Sequence, residues 1–261
     1  MSSLRVFAIG GLTSYRALFY WLTPWVYVPS LLVAPIFQIL LFVYIGRSAG
    51  LESDKFYVIG NALQYAAIPC VFAMGFAIGG ERYQRTLGSI LVSPARRLPL
   101  FLGRAVPVML NGAFVAAFSL AVGSLLLGID LPASALAPLA LVVLISAVSC
   151  TGLGLINGAL ALRVRESAVL ANIIFGLLLI FTGANVPVAD LPGWMQAISD
   201  VTPLTHGIEA ARLLADGASL GSVDHLISQE LLVGLGYGLV GYGLIRFFEW
   251  QSRVHATLET A

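Results

Sequence analysis

Hydrophobic residues are gathered into six long stretches, which shorter polar segments separate. Five of these stretches contain no Asp, Glu, Lys or Arg, and the last has 15 uncharged residues before Arg246. About 20 residues of helix cross the hydrocarbon core of a bilayer, and an arginine near a helix end can reach the interface. The pattern therefore predicts six transmembrane helices, which lie within residues 26–46, 57–80, 105–128, 135–162, 167–188 and 231–248.

Composition supports a membrane as the surrounding solvent. Hydrophobic residues make up 59% of the 261-residue chain and charged residues only 10%, and the mean hydropathy is +0.92. So apolar a chain cannot surround a soluble core with a polar surface. We therefore predict an all-α integral membrane protein that forms a single transmembrane domain over residues 1–261. The net charge of +1 averages over both sides of the membrane and identifies no partner.

The connecting segments differ sharply in positive charge. Eleven basic residues fall on one side of the six predicted spans and three on the other. Because Lys and Arg are retained in the cytoplasm, both termini and the segment 81–104 are expected to be cytoplasmic. The chain is thus predicted to be a multi-pass protein of the cell (inner or plasma) membrane. The three external basic residues are Arg47, Lys55 and Arg212.

Residues 1–25 are predicted to form an N-terminal helix in the membrane interface. Its polar residues cluster on one side of a helical wheel, although Ile9 and Tyr20 fall on that side too. Gly10 and Gly11 interrupt the hydrophobic region that a cleavable signal peptide needs, so we expect the segment to be retained. The clustered polar residues are Ser2, Arg5, Thr13 and Arg16.

The external segment 189–229 has helix signals of its own. The stretches "LPGWMQAISD" and "TPLTHGIEAARLLADG" each begin near a proline. In the second, Thr205 is the predicted N-cap, Glu209 complements the helix dipole and Gly217 is the stop. Trp194 and one apolar face of the second helix favour two short helices in the outer interface. That face consists of Leu204, Ile208, Ala211 and Ala215.

The sequence lacks the residues that several kinds of chemistry require. The three histidines lie outside the predicted spans, which leaves no intramembrane haem ligands and no serine–histidine dyad, so we expect no catalytic residue and no metal. Lys55 is the only lysine and does not follow a glycine-rich phosphate-binding loop. Uncharged spans disfavour ion-coupled carriers and charged pores. Cys70 and Cys150 lie in apolar runs and are predicted to serve packing. Two classes remain: a membrane body that moves an amphiphile with energy supplied elsewhere, and a non-transporting scaffold or assembly protein.

The cytoplasmic segment 81–104 carries five arginines and a short apolar ridge. As a helix, it places Leu87, Ile90 and Leu91 on one face, and Glu81 one turn from Arg85. The ridge is too short to span a bilayer, which favours a docking element for a cytoplasmic partner. The alternative is that the arginines only hold phospholipid headgroups at the cytoplasmic surface.

The order of two motifs resembles the permease subunits of type 2 ABC exporters, the ABC-2 family. The motifs are "GGERYQRTLGSILVSPARRLPLFLGR" and, far downstream, "LPGWMQAISDVTPLTHGIEAAR". Arg85 and Gly88 depart from the residues that are common in the first motif. The resemblance implies six spans, an N-terminal interfacial helix, a coupling helix between spans two and three, and two short external helices between spans five and six.

The resemblance also implies roles and partners. It implies a separate nucleotide-binding ATPase subunit, which holds ATP and Mg²⁺, and no cofactor on this chain. A second permease subunit, identical or paralogous, and membrane lipids are the other expected partners, and nucleic acid is not expected. The residues implied in ATPase coupling are Glu81, Arg82, Arg85, Leu87, Ile90, Leu91 and Pro94. The residues predicted to form an external gate are Trp194, Pro203, Leu204, Thr205, Glu209 and Arg212.

Pairs of glycines four residues apart occur in three of the predicted spans. Such pairs allow helices to pack closely, and we expect them to serve contacts within the chain more than a dimer interface. They are compatible with both a transporter and a scaffold. The pairs are Gly75/Gly79, Gly154/Gly158 and Gly234/Gly238.

Overall fold

A computed structural model describes residues 23–83, 97–163 and 167–255, and within these ranges all regular structure is helical. The all-α prediction is therefore confirmed for the described part of the chain. Two 3₁₀ turns, Val188–Asp190 and Leu220–Ser222, interrupt the connections. The helices are α1 (Pro24–Ala49), α2 (Asp54–Gln64), α3 (Ala67–Tyr83), α4 (Arg97–Leu127), α5 (Ala133–Ala161), α6 (Ser167–Phe181), α7 (Gly193–Ser199), α8 (Thr205–Ala215) and α9 (Asp224–His255).

Five apolar helical segments of the described chain are long enough to cross a membrane. They correspond to the first four predicted spans and the last one. The predicted N-terminal interfacial helix lies outside the described residues apart from its last residues, where α1 begins at Pro24. The five segments are Pro24–Ala49, Asp54–Ile78, Gly103–Leu127, Ala133–Ala161 and Asp224–Phe248.

The fifth predicted span is shorter than expected. Its helix α6 has 15 residues, or about 22 Å at 1.5 Å per residue, against a hydrocarbon thickness of about 30 Å. The helix ends at Phe181 because Gly183 adopts a left-handed conformation, with φ of 73°. The helix therefore lies within the predicted bounds 167–188 but leaves residues 182–187 non-helical, and six full-length helical spans are not confirmed.

The second span is a broken helix. A two-residue turn at Tyr65 and Ala66 separates α2 from α3. Pro69 has no N–H with which to bond the Tyr65 carbonyl, and its ring crowds that carbonyl. The Tyr65 oxygen instead accepts from the Ile68 N–H at 3.3 Å. The break lies near the middle of the span, beside the fully buried Gln64.

Helix α5 lies between α3 and α9, and glycines allow both contacts. A Cβ on Gly158 would lie 3.0 Å from the Met74 carbonyl oxygen of α3. On the other side, a Cβ on Gly234 of α9 would lie 2.7 Å from the Ser149 Cα. Only glycine allows backbones to approach this closely, which confirms the prediction of contacts within the chain for Gly154/Gly158 and for Gly234.

Candidate functional site

Most of the predicted coupling residues lie outside the described residues. Glu81 and Arg82 are in the last turn of α3, which continues to Tyr83, and α4 begins at Arg97. The segment 81–104 is thus helical at both of its ends. Its Pro99 lies in the first turn of α4, where proline is tolerated because that N–H has no partner within the helix. Outside the described residues are Arg85, Leu87, Ile90, Leu91 and Pro94.

The predicted gate residues divide between two helices of very different burial. In α7 only one of seven residues, Ser199, is buried, and the Trp194 side chain is 65% exposed. In α8 eight of eleven residues are buried. The predicted apolar face of α8 is correct, but it packs into the helix bundle and does not lie open in the outer interface.

The N-terminus of α8 differs from the prediction that Thr205 is its N-cap. Leu204 occupies the N-cap position with φ of 80°, and it is the only described non-glycine residue at positive φ. The Thr205 hydroxyl has no hydrogen-bond partner. A left-handed residue other than glycine carries roughly 1–3 kcal/mol of strain, which the surrounding contacts must offset. Here the Leu204 side chain is fully buried.

A glutamate from another helix caps α8. Glu230 of α9 is 1% exposed, and its carboxylate accepts from the Leu204 N–H at 2.8 Å and from the Gly207 N–H at 3.1 Å. Two otherwise unpaired N–H groups are thereby satisfied, and the negative charge lies at the positive end of the helix dipole. The predicted sixth span begins at residue 231, which leaves Glu230 just outside it on the external side. The helix in fact begins at Asp224, so Glu230 lies within the apolar segment Asp224–Phe248, and the expectation of a span without an acidic residue is wrong there.

The C-terminus of α8 is held by a lysine of α2. The ammonium of Lys55 donates to the Ala215 carbonyl and to the Asp216 carboxylate, the latter at 2.7 Å. Gly217 then adopts φ of 95°, which confirms it as the predicted stop. A positive charge at the carbonyl end of a helix is favourable.

Arg212 ties α8 to two further elements. Its Nη2 donates to the Phe56 carbonyl of α2 and to the Ala184 carbonyl of the segment after α6, both at 3.1 Å. The guanidinium also lies 3.4 Å from the centroid of the Phe56 ring, which is a cation–π contact. Burial lowers the pKa of Arg212 to about 10, so the side chain remains positively charged at neutral pH.

Three carboxamide side chains form hydrogen bonds next to the contacts of Arg212. Asn61 donates to the Asn185 side chain at 2.9 Å, and Gln38 of α1 donates to Asn61 at 3.0 Å. A Cβ on the neighbouring Gly60 would lie 2.7 Å from Arg212 Nη2, so glycine is needed there for the arginine to reach its carbonyls. The non-helical segment after α6 is thus bound through both its backbone and a side chain.

Among the predicted gate residues, the described contacts give Arg212 and Leu204 the clearest roles. Pro203 is buried in the turn before α8, and Glu209 is exposed on its outer face. Sequence reasoning missed Glu230, Lys55 and Asn61. The sequence did contain a signal for Glu230 and Asn61: acidic and amide side chains beside or within apolar helices need hydrogen-bond partners, because burying them without a partner costs free energy.

Comparison with known proteins places these features in a family context. The model of the family described as ABC-2 type transporter matches residues 8–214. Two curated relatives, each named probable multidrug ABC transporter permease YbhR, come from Escherichia coli K12 and O157:H7. Each is 25% identical over 195 residues, which is 74% of this chain and 52% of the relative. The chain therefore spans about half the length of the curated relatives it matches.

Proposed function

Because the chain belongs to the ABC-2 type transporter family, we propose that this permease subunit exports an amphiphilic substrate with energy from a separate ATPase subunit. The observation that carries the proposal is the family match over residues 8–214, which includes the segment 81–104, the helix α7 and all of α8 except its last residue. The ATPase holds ATP and Mg²⁺, and this chain serves as the membrane part. The substrate is a drug or antibiotic, a lipid or a lipid-linked glycan, moved from the cytoplasm or inner leaflet.

The apolar surface of the bundle supports an amphiphilic substrate. Helices α1 and α9 expose large apolar side chains, such as Phe37 at 67% and Leu239 at 73%. A small ion could not replace its hydration shell along such surfaces, whereas the apolar part of an amphiphile is favourably accommodated. We place the path between two facing permease subunits, identical or paralogous. A conduit enclosed by one subunit is disfavoured, since the two described polar clusters are occupied by internal contacts.

The proposed topology has six crossings, although α6 is short. We assign the fifth crossing to α6 together with the non-helical segment 182–187. Non-helical backbone is tolerated at membrane depth where protein groups satisfy it. Arg212 supplies such a group by bonding the Ala184 carbonyl, and Asn61 bonds the Asn185 side chain of the same segment. The whole chain then forms one transmembrane domain, with an interfacial segment 1–25, a cytoplasmic coupling segment 81–104 and an external segment 189–229.

The proposed orientation can be tested by cysteine labelling. Ser219 is exposed and lies in the external segment, whereas position 89 lies in the cytoplasmic one. In a background without Cys70 and Cys150, an impermeant thiol reagent outside the cell should label Ser219→Cys and not Ser89→Cys. Labelling should reverse in inverted vesicles. External labelling of position 89 alone would show that the proposed topology is inverted.

Coupling to the ATPase can be tested by copurification. The wild-type permease should bring down an ATPase of separate sequence, and substrate should stimulate ATP hydrolysis in lipid. Ile90→Asp should abolish recovery of the ATPase, because burying an unpaired carboxylate in the contact costs several kcal/mol. Arg96→Gln is the matched control. We assign Arg96 to headgroup contact, so this variant should retain the ATPase.

The result distinguishes the proposed permease from a scaffold. A scaffold would purify without an ATPase, and Ile90→Asp would then change nothing. Recovery of normal ATPase and transport in Ile90→Asp would refute the assignment of the apolar ridge Leu87, Ile90 and Leu91 to coupling.

The external helices are proposed to border the exit. Trp194 exposes most of its ring on α7, while Pro203, Leu204 and Thr205 lead into α8. Glu209 and Arg212 complete the predicted set. In this arrangement the exit closes in the resting state and opens when ATP draws the cytoplasmic ends of the subunits together.

A further inference from the structure

Both ends of α8 are capped by charged side chains from other helices. The first N–H groups and last carbonyls of any helix lack partners within it, and its dipole favours an anion at the start and a cation at the end. For α8 the anion is Glu230 of α9 and the cation is Lys55 of α2. The bundle therefore places a negative charge at the positive end of the α8 dipole and a positive charge at its negative end.

Displacing α8 from the bundle would break contacts that are hard to replace. Glu230 would lose both of its backbone donors while remaining in an apolar helix bundle, and Arg212 would lose two carbonyls and the Phe56 ring. Leu204 would lose the contacts that hold its left-handed backbone. Each of these losses would raise the free energy, so together they oppose a movement of α8 away from the bundle.

Helix α7 has no comparable anchors among its described contacts. Its polar tie is local, since Gln196 donates to the Ala189 and Leu191 carbonyls in the turn before it. Most of its apolar side chains are exposed, including Ile198 at 39%, and Val201 just after it is 58% exposed. The segment between α7 and α8 is an irregular turn over residues 200–204, and its first carbonyl, that of Asp200, lies 2.9 Å from His206 Nε2 of α8.

We propose that Glu230, Lys55 and Arg212 are positioning residues that dock α8 as a fixed part of the bundle, and that α7 is the part that moves. The hinge is the junction of α7 with Asp200, since Asp200 contacts His206 of α8 and residues 202–204 are buried. The docking of α8 stands by itself, whereas the movement of α7 rests on the proposed export function. Fewer residues then move than the predicted gate contains. Trp194 moves with α7, while Leu204, Thr205 and Arg212 stay fixed in the bundle against which it closes.

Hydrogen exchange on the permease alone, in lipid nanodiscs, tests the docking. Glu230→Ala should speed amide exchange in the first turn of α8 by about tenfold or more, because charge-assisted hydrogen bonds to that turn are lost. Glu230→Gln keeps the side-chain volume and one acceptor, and should give a smaller increase. Asp224→Asn, an exposed acid of the same helix, is the control and should leave α8 unchanged. Unchanged exchange in both Glu230 variants would overturn the docking, whatever the chain transports.

Distance measurements between spin labels test which helix moves. In a Cys-free permease reconstituted with its ATPase, Leu232→Cys on α9 is the reference position. It is paired with Ala197→Cys on α7 or with Leu213→Cys on α8, all of which are exposed. Between the nucleotide-free and vanadate-trapped states, the 197–232 distance should shift beyond the width of its distribution, and the 213–232 distance should not.

The outcomes separate this inference from the proposed function. A shift of the 213–232 distance would show that α8 moves, and no shift of either distance would show that α7 does not; both overturn the inference. Failure to recover any ATPase would contradict the proposed function but would leave the exchange result for α8 standing.

Discussion

Arg212→Leu should lower the free energy of unfolding by about 2–5 kcal/mol, since two part-buried hydrogen bonds to carbonyls and a cation–π contact are lost. The carbonyls belong to Phe56 and Ala184, and neither has another side-chain donor among the described hydrogen bonds. The loss also frees the non-helical segment after α6 from α8. Denaturant titration in mixed micelles, followed by tryptophan fluorescence, measures the change.

Two variants serve as controls for this prediction. Arg212→Lys keeps the charge but has one compact donor group in place of the planar fork, so we expect an intermediate loss. Arg47→Leu removes an exposed arginine that bonds Asp54 at 2.9 Å, and exposed ion pairs contribute little to stability because solvent screens them. Equal losses for Arg212→Leu and Arg47→Leu would contradict the special role of Arg212.

The same contacts explain an apparent exception in the charge pattern. Three basic residues lie on the side that is predicted to be external and poor in Lys and Arg, and each of them has a structural partner. Arg47 bonds Asp54, Lys55 bonds the end of α8, and Arg212 bonds two carbonyls. These charges act within the protein, so they do not weaken the orientation inferred from the other eleven.

Hydropathy predicted the long helices well because each must cover the bilayer with apolar side chains. Four of the six predicted spans overlap the first four long apolar segments of the structure, with ends that differ by three residues or fewer, and the last lies within α9. Hydropathy did not place the end of α6 at Phe181, because residues 182–188 contain no charged residue that would end an apolar stretch. Gly183 was the local signal, but glycine also occurs inside helices of this chain, as at Gly154 and Gly234.

The site was harder to predict because its contacts join residues far apart in the sequence. Trp194, Leu204 and Arg212 belong to a recognisable motif, yet their surroundings depend on Lys55 and Glu230 from two other helices. A local capping rule pointed to Thr205, since Ser and Thr usually cap their own helix. In the structure, Glu230 of α9 caps α8 instead of a side chain of α8 itself, and the N-cap position is Leu204.

Gly152→Ala should destabilise the bundle by about 1–3 kcal/mol, because the added methyl group has no space between α5 and α9. A Cβ at this position would lie 2.5 Å from the Gly234 carbonyl oxygen and 3.0 Å from the Gly238 nitrogen. Both atoms are backbone, so relief requires the helices to separate. Larger residues at position 152 should reduce folding further.

Gly236→Ala is the matched control for this contact. Gly236 lies in α9 between the two glycines that face α5, and a Cβ there would meet no atom within 4 Å. Alanine is favoured over glycine in helices by about 1 kcal/mol, so this variant should be neutral or slightly stabilising. The free energies of unfolding of both variants, measured in the same micelles, provide the comparison.

Gly152→Ala should also affect α8, because it displaces α9, and α9 carries the Glu230 side chain that caps α8. Glu230 lies one turn before Gly234 on α9, so movement of α9 away from α5 draws the carboxylate from the Leu204 and Gly207 amides. Hydrogen exchange in the first turn of α8 should therefore rise in Gly152→Ala and not in Gly236→Ala. If Gly152→Ala loses stability while exchange in α8 stays unchanged, the position of Glu230 does not depend on the contact between α5 and α9.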